Sequence, residues 1–133
     1  MNLIDKIRSI QSVQKQPSVL VIGDLMIDHY IWGSATRLSA EAPVPIVNVK
    51  NESTTLGGAG NVVQNLVALG AKVTVGGVIG NDAAGGQLIE ILESEGVKTS
   101  TIIKDNNRST TVKTRVLVGS HQLVRKKGST ALL

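Results

Sequence analysis

Two clusters in this chain of 133 residues combine residue types and spacings that can do chemistry. The first is Leu56-Gly57-Gly58-Ala59-Gly60-Asn61, three glycines in four positions running straight into the apolar pattern Val62, Val63, Leu66, Val67 and Leu69. Without β-carbons the backbone can approach a ligand closely, and the first free N–H groups of a helix point outward, so such a turn makes a surface for a polyol or an anion. The second is Asp24 and Asp28, four residues apart just beyond the apolar run 18–23. In a doubly wound sheet both would lie near the carboxyl end of the first strand, where the glycine turn should also arrive. One carboxylate can accept from two adjacent sugar hydroxyls. The plainer reading has Asp24 capping a turn and Asp28 in solvent.

Other chemistries fit less well. A dinucleotide fingerprint would use Gly58 and Gly60, but Val63 stands where its third glycine belongs, and the turn is preceded by the polar residues Glu52, Ser53, Thr54 and Thr55 in place of an evident strand. Its one support is Asp82, at about the spacing of a ribose-binding acid, and it stays as an alternative. The phosphate loop ending in Lys-Ser/Thr is absent from the sequence. His29 and His121 have no Cys or acidic cluster at ligand spacing, which argues against a metal site and against a His-activated nucleophile. Tyr30 and Trp32, two apart, would share one face of a strand and are expected in a core or an interface.

The elements that must position these residues are built mostly from aliphatic side chains. Apolar residues make up 41% of the chain, yet it has one Trp, one Tyr and no Phe, so a single core of Val, Ile, Leu and Ala is expected, with sheets covered by helices. No window approaches the roughly 20 apolar residues of a membrane span. The start Met1-Asn2-Leu3-Ile4-Asp5 lacks the order of a signal peptide, and there is no cysteine, so a cytoplasmic chain without disulfides or thiolate metal sites is expected. The net charge of +4 is uneven: residues 1–97 sum to −3 and residues 98–133 to +7. A basic segment suits nucleic acid or a phosphorylated substrate. No aromatics interleave these charges as base stacking needs, which disfavours nucleic acid.

Leu3, Ile4, Ile7 and Ile10 behind Asn2 predict a short helix to about residue 14. Residues 18–23 predict a strand buried on both faces. Short strands are expected at 30–32 and 45–49, separated by a polar excursion at 33–43 that suggests a lid. A helix at 58–69 stopped by Gly70, a strand at 72–79, and a helix at 82–95 stopped by Gly96 follow. Strands at 101–103, 111–118 and 122–125 complete an α/β pattern, the middle one alternating Lys113 and Arg115 with Val112, Thr114 and Val116.

Taken together, Gly23-Asp24-Leu25-Met26-Ile27-Asp28, the excursion after it, and Gly57-Gly58-Ala59-Gly60-Asn61 opening a helix resemble the amino-terminal half of the ribokinase-like (PfkB) carbohydrate kinases. Within that family, residues 37–45, 110–115 and 122–125 are most similar to the kinases of D-glycero-β-D-manno-heptose 7-phosphate, which serve ADP-heptose and lipopolysaccharide synthesis. The resemblance implies the amino-terminal part of a doubly wound sheet with a small β lid at about 30–56, a lid that can also make a homodimer contact. It implies that Asp28, Gly57, Gly58 and Asn61 hold the sugar and that Lys113, Arg115 and Arg125 neutralise its phosphate. It further implies ATP with Mg²⁺ as phosphoryl donor, while the composition leads to the expectation of no nucleic-acid or membrane partner. In that family the catalytic base is an Asp of a Gly-Ala-Gly-Asp motif in the second half of a chain more than twice this length. Asn61 cannot replace it, because an amide does not accept a proton as a base does. Residues 1–133 are therefore expected to be a sugar-binding portion without the catalytic and nucleotide-binding half, inactive alone. A stand-alone sugar-binding or dimerisation module is the alternative.

Overall fold

Aliphatic strands alternating with amphipathic helices produce two sheets. The computed structural model describes residues 2–13, 16–119 and 121–127. The elements are α1 (Leu3–Val13), β1 (Ser18–Ile22), β2 (Leu25–Leu38), β3 (Pro45–Gly58), α2 (Ala59–Ala68), β4 (Lys72–Gly80), α3 (Ala83–Ser94), β5 (Lys98–Asp105), β6 (Thr111–Val118) and β7 (His121–Lys127). The first sheet is parallel throughout, in the order β1-β4-β5; the second is mixed, in the order β3-β2-β6-β7.

The core lies where α2 and α3 cover one face of the parallel sheet. Val73, Val75 and Ile79 of β4 meet Val63 of α2 and Leu88 and Leu92 of α3, all at most 3% exposed. Leu25 and Ile27 at the start of β2 and Leu56 near the end of β3 join the same cluster. The second sheet is thus rooted in the core of the first. Helix starts and stops follow the sequence: Asn2 Oδ1 accepts from the N–H of Asp5 at 2.9 Å, and α2 and α3 end just before Gly70 and Gly96.

Two expectations are corrected. The run 18–23 is buried on one face only, since Val19 and Val21 pack on the core while Leu20 and Ile22 are 58% and 75% exposed. Both covering helices lie on the Val19 side, and the opposite side is left as an apolar depression of about 270 Å³ along Leu20, Ile22, Val78 and Ile103. The second correction concerns the excursion at 33–43. Strands β2 and β3 form one long antiparallel ribbon from Leu25↔Gly58 to Leu38↔Pro45, with irregularities after Trp32 and after Ala35. Only residues 39–44 make the turn. Small and polar residues such as Gly33, Ser34 and Asn48 have weak strand preference, but ladder pairing overrides it, and bulges absorb the mismatch.

Candidate functional site

The glycine turn is the seam between the two sheets. Strand β3 runs into α2 with no intervening loop, so the polar residues before the turn are a strand after all. At Gly58 the backbone takes φ 58° and ψ −131°, and a side chain would collide with the carbonyl oxygen of Asp24. Only glycine fits both requirements. The same Asp24 carbonyl accepts the N–H of Ala59 at 2.9 Å, so Asp24 serves the turn through its backbone while its side chain is exposed.

Asp28 lies four residues into the fold of β2, on the face it shares with Met26, the ladder partner of Gly57. A β-carbon on Gly57 would lie 2.6 Å from Oδ2 of Asp28 and 2.9 Å from Cγ of Met26. The missing side chain of Gly57 is what lets the Asp28 carboxylate lie across the turn. The structure therefore brings Asp28, Gly57 and Gly58 together. Asn61 follows in the first turn of α2, exposed, with its side chain in no hydrogen bond among the described residues. No side chain caps α2, so its first N–H groups are not masked by a capping hydroxyl or carboxylate.

The basic residues of β6 reach this site through strand pairing. Parallel register sets Lys113 beside Asp28 and Arg115 beside Tyr30. Nη1 of Arg115 donates to Oδ1 of Asp28 at 3.0 Å and to the hydroxyl of Tyr30 at 2.9 Å. Its guanidinium carbon lies 5.1 Å from the Tyr30 ring centroid, within cation–π range, and Tyr30 stacks on Trp32 at 5.6 Å and 17°. The aromatic pair shares a face, as expected, but it stands half-buried beside the ion pair and outside the apolar core. Sequence reading missed the Asp28–Arg115 pairing. Its partners are 87 residues apart, and no local spacing encodes a parallel register. The side chains of Arg125 and His121 lie outside the described residues.

Asp82 and His29 are used differently. Asp82 caps α3: Oδ1 accepts from the N–H of Gly85 at 2.8 Å and from the Thr110 hydroxyl at 2.7 Å, and Oδ2 accepts from the N–H of Thr110 at 2.8 Å. The Thr110 hydroxyl, followed by its N–H, holds this carboxyl below the ordinary carboxylate range. Its oxygens are committed to the fold, which removes the one support for a ribose-binding acid. His29 points to the other face of the ribbon, 2.9 Å from Glu52. Among the described residues no group of three or more His, Cys, Asp or Glu is placed to hold a metal ion, and no helix is long and apolar enough to cross a membrane.

What remains is a carboxylate with one oxygen held by Arg115 and the other lying over a glycine turn at a helix start, an arrangement suited to accepting hydroxyl hydrogens. The sequence pattern of the pfkB family carbohydrate kinases matches residues 16–131. The chain belongs to that family. Among its relatives is the "Bifunctional protein HldE" of Helicobacter hepaticus, 59% identical over 111 residues, which cover 84% of this chain and 23% of the relative. That of Sulfurimonas denitrificans is 55% identical over 109 residues, covering 82% and 23%. The pfkB-family chain thus spans about a quarter of the length of the curated relatives it matches. A carbohydrate kinase from Agrobacterium tumefaciens superposes with a TM-score of 0.66 over 84% of this chain and 35% of that one, at 23% identity, and so shares the fold. The sugar kinase PH1459 from Pyrococcus horikoshii, solved in complex with ATP, gives 0.58 over 81% and 33%, at 28% identity. The expected fold class, the amino-terminal part of a ribokinase-like α/β domain, is met.

Proposed function

We propose that this chain is the acceptor-holding portion of an ATP-dependent sugar kinase whose substrate is D-glycero-β-D-manno-heptose 7-phosphate. The observation that supports it most is the Asp28 carboxylate laid across Gly57 at the start of α2. There it can accept hydrogens from adjacent hydroxyls while the glycine backbone lets the sugar ring come close. Asn61, one helical step on, would add an amide that both donates and accepts. Lys113 lies in register with Asp28 and, with Arg115 and Arg125, would face the phosphate that the sugar already carries. The 59% and 55% identity with the two HldE relatives supports the heptose over a simple hexose.

Holding the acceptor in one orientation contributes by making the reacting hydroxyl a near neighbour of the donor. The β2–β3 ribbon would act as a lid over the sugar, because water admitted to the site would take the phosphoryl group, and the same ribbon would make the contact with a second copy of the chain. ATP is the donor substrate in this reading and Mg²⁺ its companion. The described residues gather no group of three or more His, Cys, Asp or Glu that could hold a metal ion, and the glycine turn lacks the Lys of a phosphate loop. Donor binding and the proton-accepting base would come from sequence that the longer relatives carry outside the matched quarter. Like other enzymes of sugar-nucleotide supply, the protein would work in the cytoplasm.

Titration calorimetry of the purified chain with heptose 7-phosphate tests the reading. Binding is expected, and Asp28→Ala should abolish it with the circular dichroism spectrum unchanged. Undiminished affinity in that variant would remove Asp28 from the site. Turnover of ATP and heptose 7-phosphate by this chain alone, at an ordinary enzyme rate, would overturn its assignment as the acceptor-holding portion only.

A further inference from the structure

We infer that Arg115 is a positioning residue for the sugar-binding carboxylate, fixing which oxygen of Asp28 faces the ligand. The inference rests on the reading that Asp28 holds the sugar. A carboxylate on a strand can rotate about its last bond, and a freely rotating one presents its lone pairs in no fixed direction. In this chain the rotation is stopped at both ends. Oδ1 accepts from Nη1 of Arg115, and Oδ2 lies over Gly57, where the absence of a β-carbon leaves room for it. Among the described residues Oδ2 accepts no hydrogen bond, so its lone pairs are the ones left for hydroxyl groups of a bound sugar.

Arg115 is itself held. Nη1 has two hydrogens, and the pair goes to two acceptors, Oδ1 of Asp28 and the Tyr30 hydroxyl. The guanidinium is also steadied from the side by the Tyr30 ring, which in turn stacks on Trp32. Asp28, Tyr30 and Trp32 follow one another at two-residue intervals on one face of β2, and Arg115 spans the first two from the neighbouring strand. The side chains of Asp28 and Arg115 are 17% and 22% exposed, so water competes weakly for these bonds. The geometry is that of a bracket: two aromatic rings and a guanidinium set one carboxylate. It leaves Nη2 and Nε of Arg115 as the edge that can still meet an anion.

The test compares Arg115→Met, Arg115→Lys and Tyr30→Phe by calorimetry with heptose 7-phosphate, alongside Asp28→Ala. Met fills the space of the aliphatic stem without a donor, whereas Lys restores a charged donor. For R115M the expected loss of affinity is about ten- to hundred-fold, with R115K recovering most of it. A role in packing alone would make R115M harmless and R115K no better, and that pattern would overturn the proposal. Calorimetry with the heptose lacking its phosphate separates positioning from phosphate contact: R115M should weaken that binding too, and an R115M loss seen only with the 7-phosphate would overturn the proposal. If R115M does not fold, Y30F decides. It keeps the ring and loses one acceptor, so affinity weakened about threefold or more supports the bracket and unchanged affinity overturns it. If D28A itself binds normally, the sugar-site reading fails. If D28A loses binding while R115M and Y30F keep it, only the role of Arg115 fails.

Discussion

In the parallel sheet, β4 carries Val73, Val75 and Ile79 at no more than 3% exposure beneath two helices; along β6 of the second sheet every residue is only half-buried. The first sheet is held by apolar area taken out of water, the second by a long ladder and a few directed polar contacts. Hydrophobic burial is non-directional and tolerates variation in side-chain angle, whereas a hydrogen bond fails when its partner is a fraction of an ångström out of place. The helix-covered sheet therefore supplies stability, and the open sheet supplies orientation. Asp28 with Arg115 stands where the sugar-binding residues are proposed to work, and Asp82 with Thr110 ties the end of β4 to the start of β6.

Damage to the covered sheet should have the greatest effect on stability. Leu88 and Leu92 of α3 are fully buried, so Leu88→Ala should destabilise the chain by about 2–5 kcal/mol through lost transfer energy and the cavity left behind. Urea unfolding followed by circular dichroism checks this. A cost below about 1 kcal/mol, typical of surface positions, would mean that the parallel sheet is not where the stability resides.

Asp82 comes next because it joins the two sheets. It caps α3 beside the end of β4 and holds Thr110, the residue that leads into β6. Asp82→Ala removes the cap and should cost about 0.5–2 kcal/mol. The pH dependence follows from the lowered carboxyl. Its folded value is below its unfolded one, so this stabilisation is fully present above the ordinary carboxylate value and is lost as pH falls through the folded value. Between pH 5 and pH 2 the urea midpoint of the natural chain should fall more steeply than that of Asp82→Asn. Parallel curves would show that Asp82 does not link the sheets through its charge.

The division between the sheets also explains what could be read from the sequence. Elements of the covered sheet were legible because they are runs or stripes of apolar residues: the strand expected at 72–79 and the helix expected at 82–95 lie close to β4 and α3, though the one-sided burial of β1 was not foreseen. The ribbon β2–β3 was legible only at 30–32 and 45–49; residues such as Gly33, Ser34 and Asn51 have neither a strand period nor strand preference, and only pairing across the ribbon makes them strands. Within the site, the residues named by local spacing, Asp28 with Gly57 and Gly58, came together. The pairing of Asp28 with Arg115 depends on which strand lies beside β2. Nothing between residues 28 and 115 records that β6 will pass over β3, β4 and β5 to take that place.

Within the ribbon, the two faces should respond differently. His29 and Glu52 form a pair at 2.9 Å on the face opposite Asp28, with side chains 28% and 53% exposed. A polar contact so open to water contributes about 0–1 kcal/mol. Glu52→Gln should shift the urea midpoint barely at all, and it should leave affinity for heptose 7-phosphate unchanged, because neighbouring residues on a strand point to opposite faces. A tenfold loss of sugar affinity in Glu52→Gln would show that the ribbon transmits strain from one face to the other. The orientation of Asp28 would then depend on the whole ribbon, and Arg115 would no longer suffice to set it.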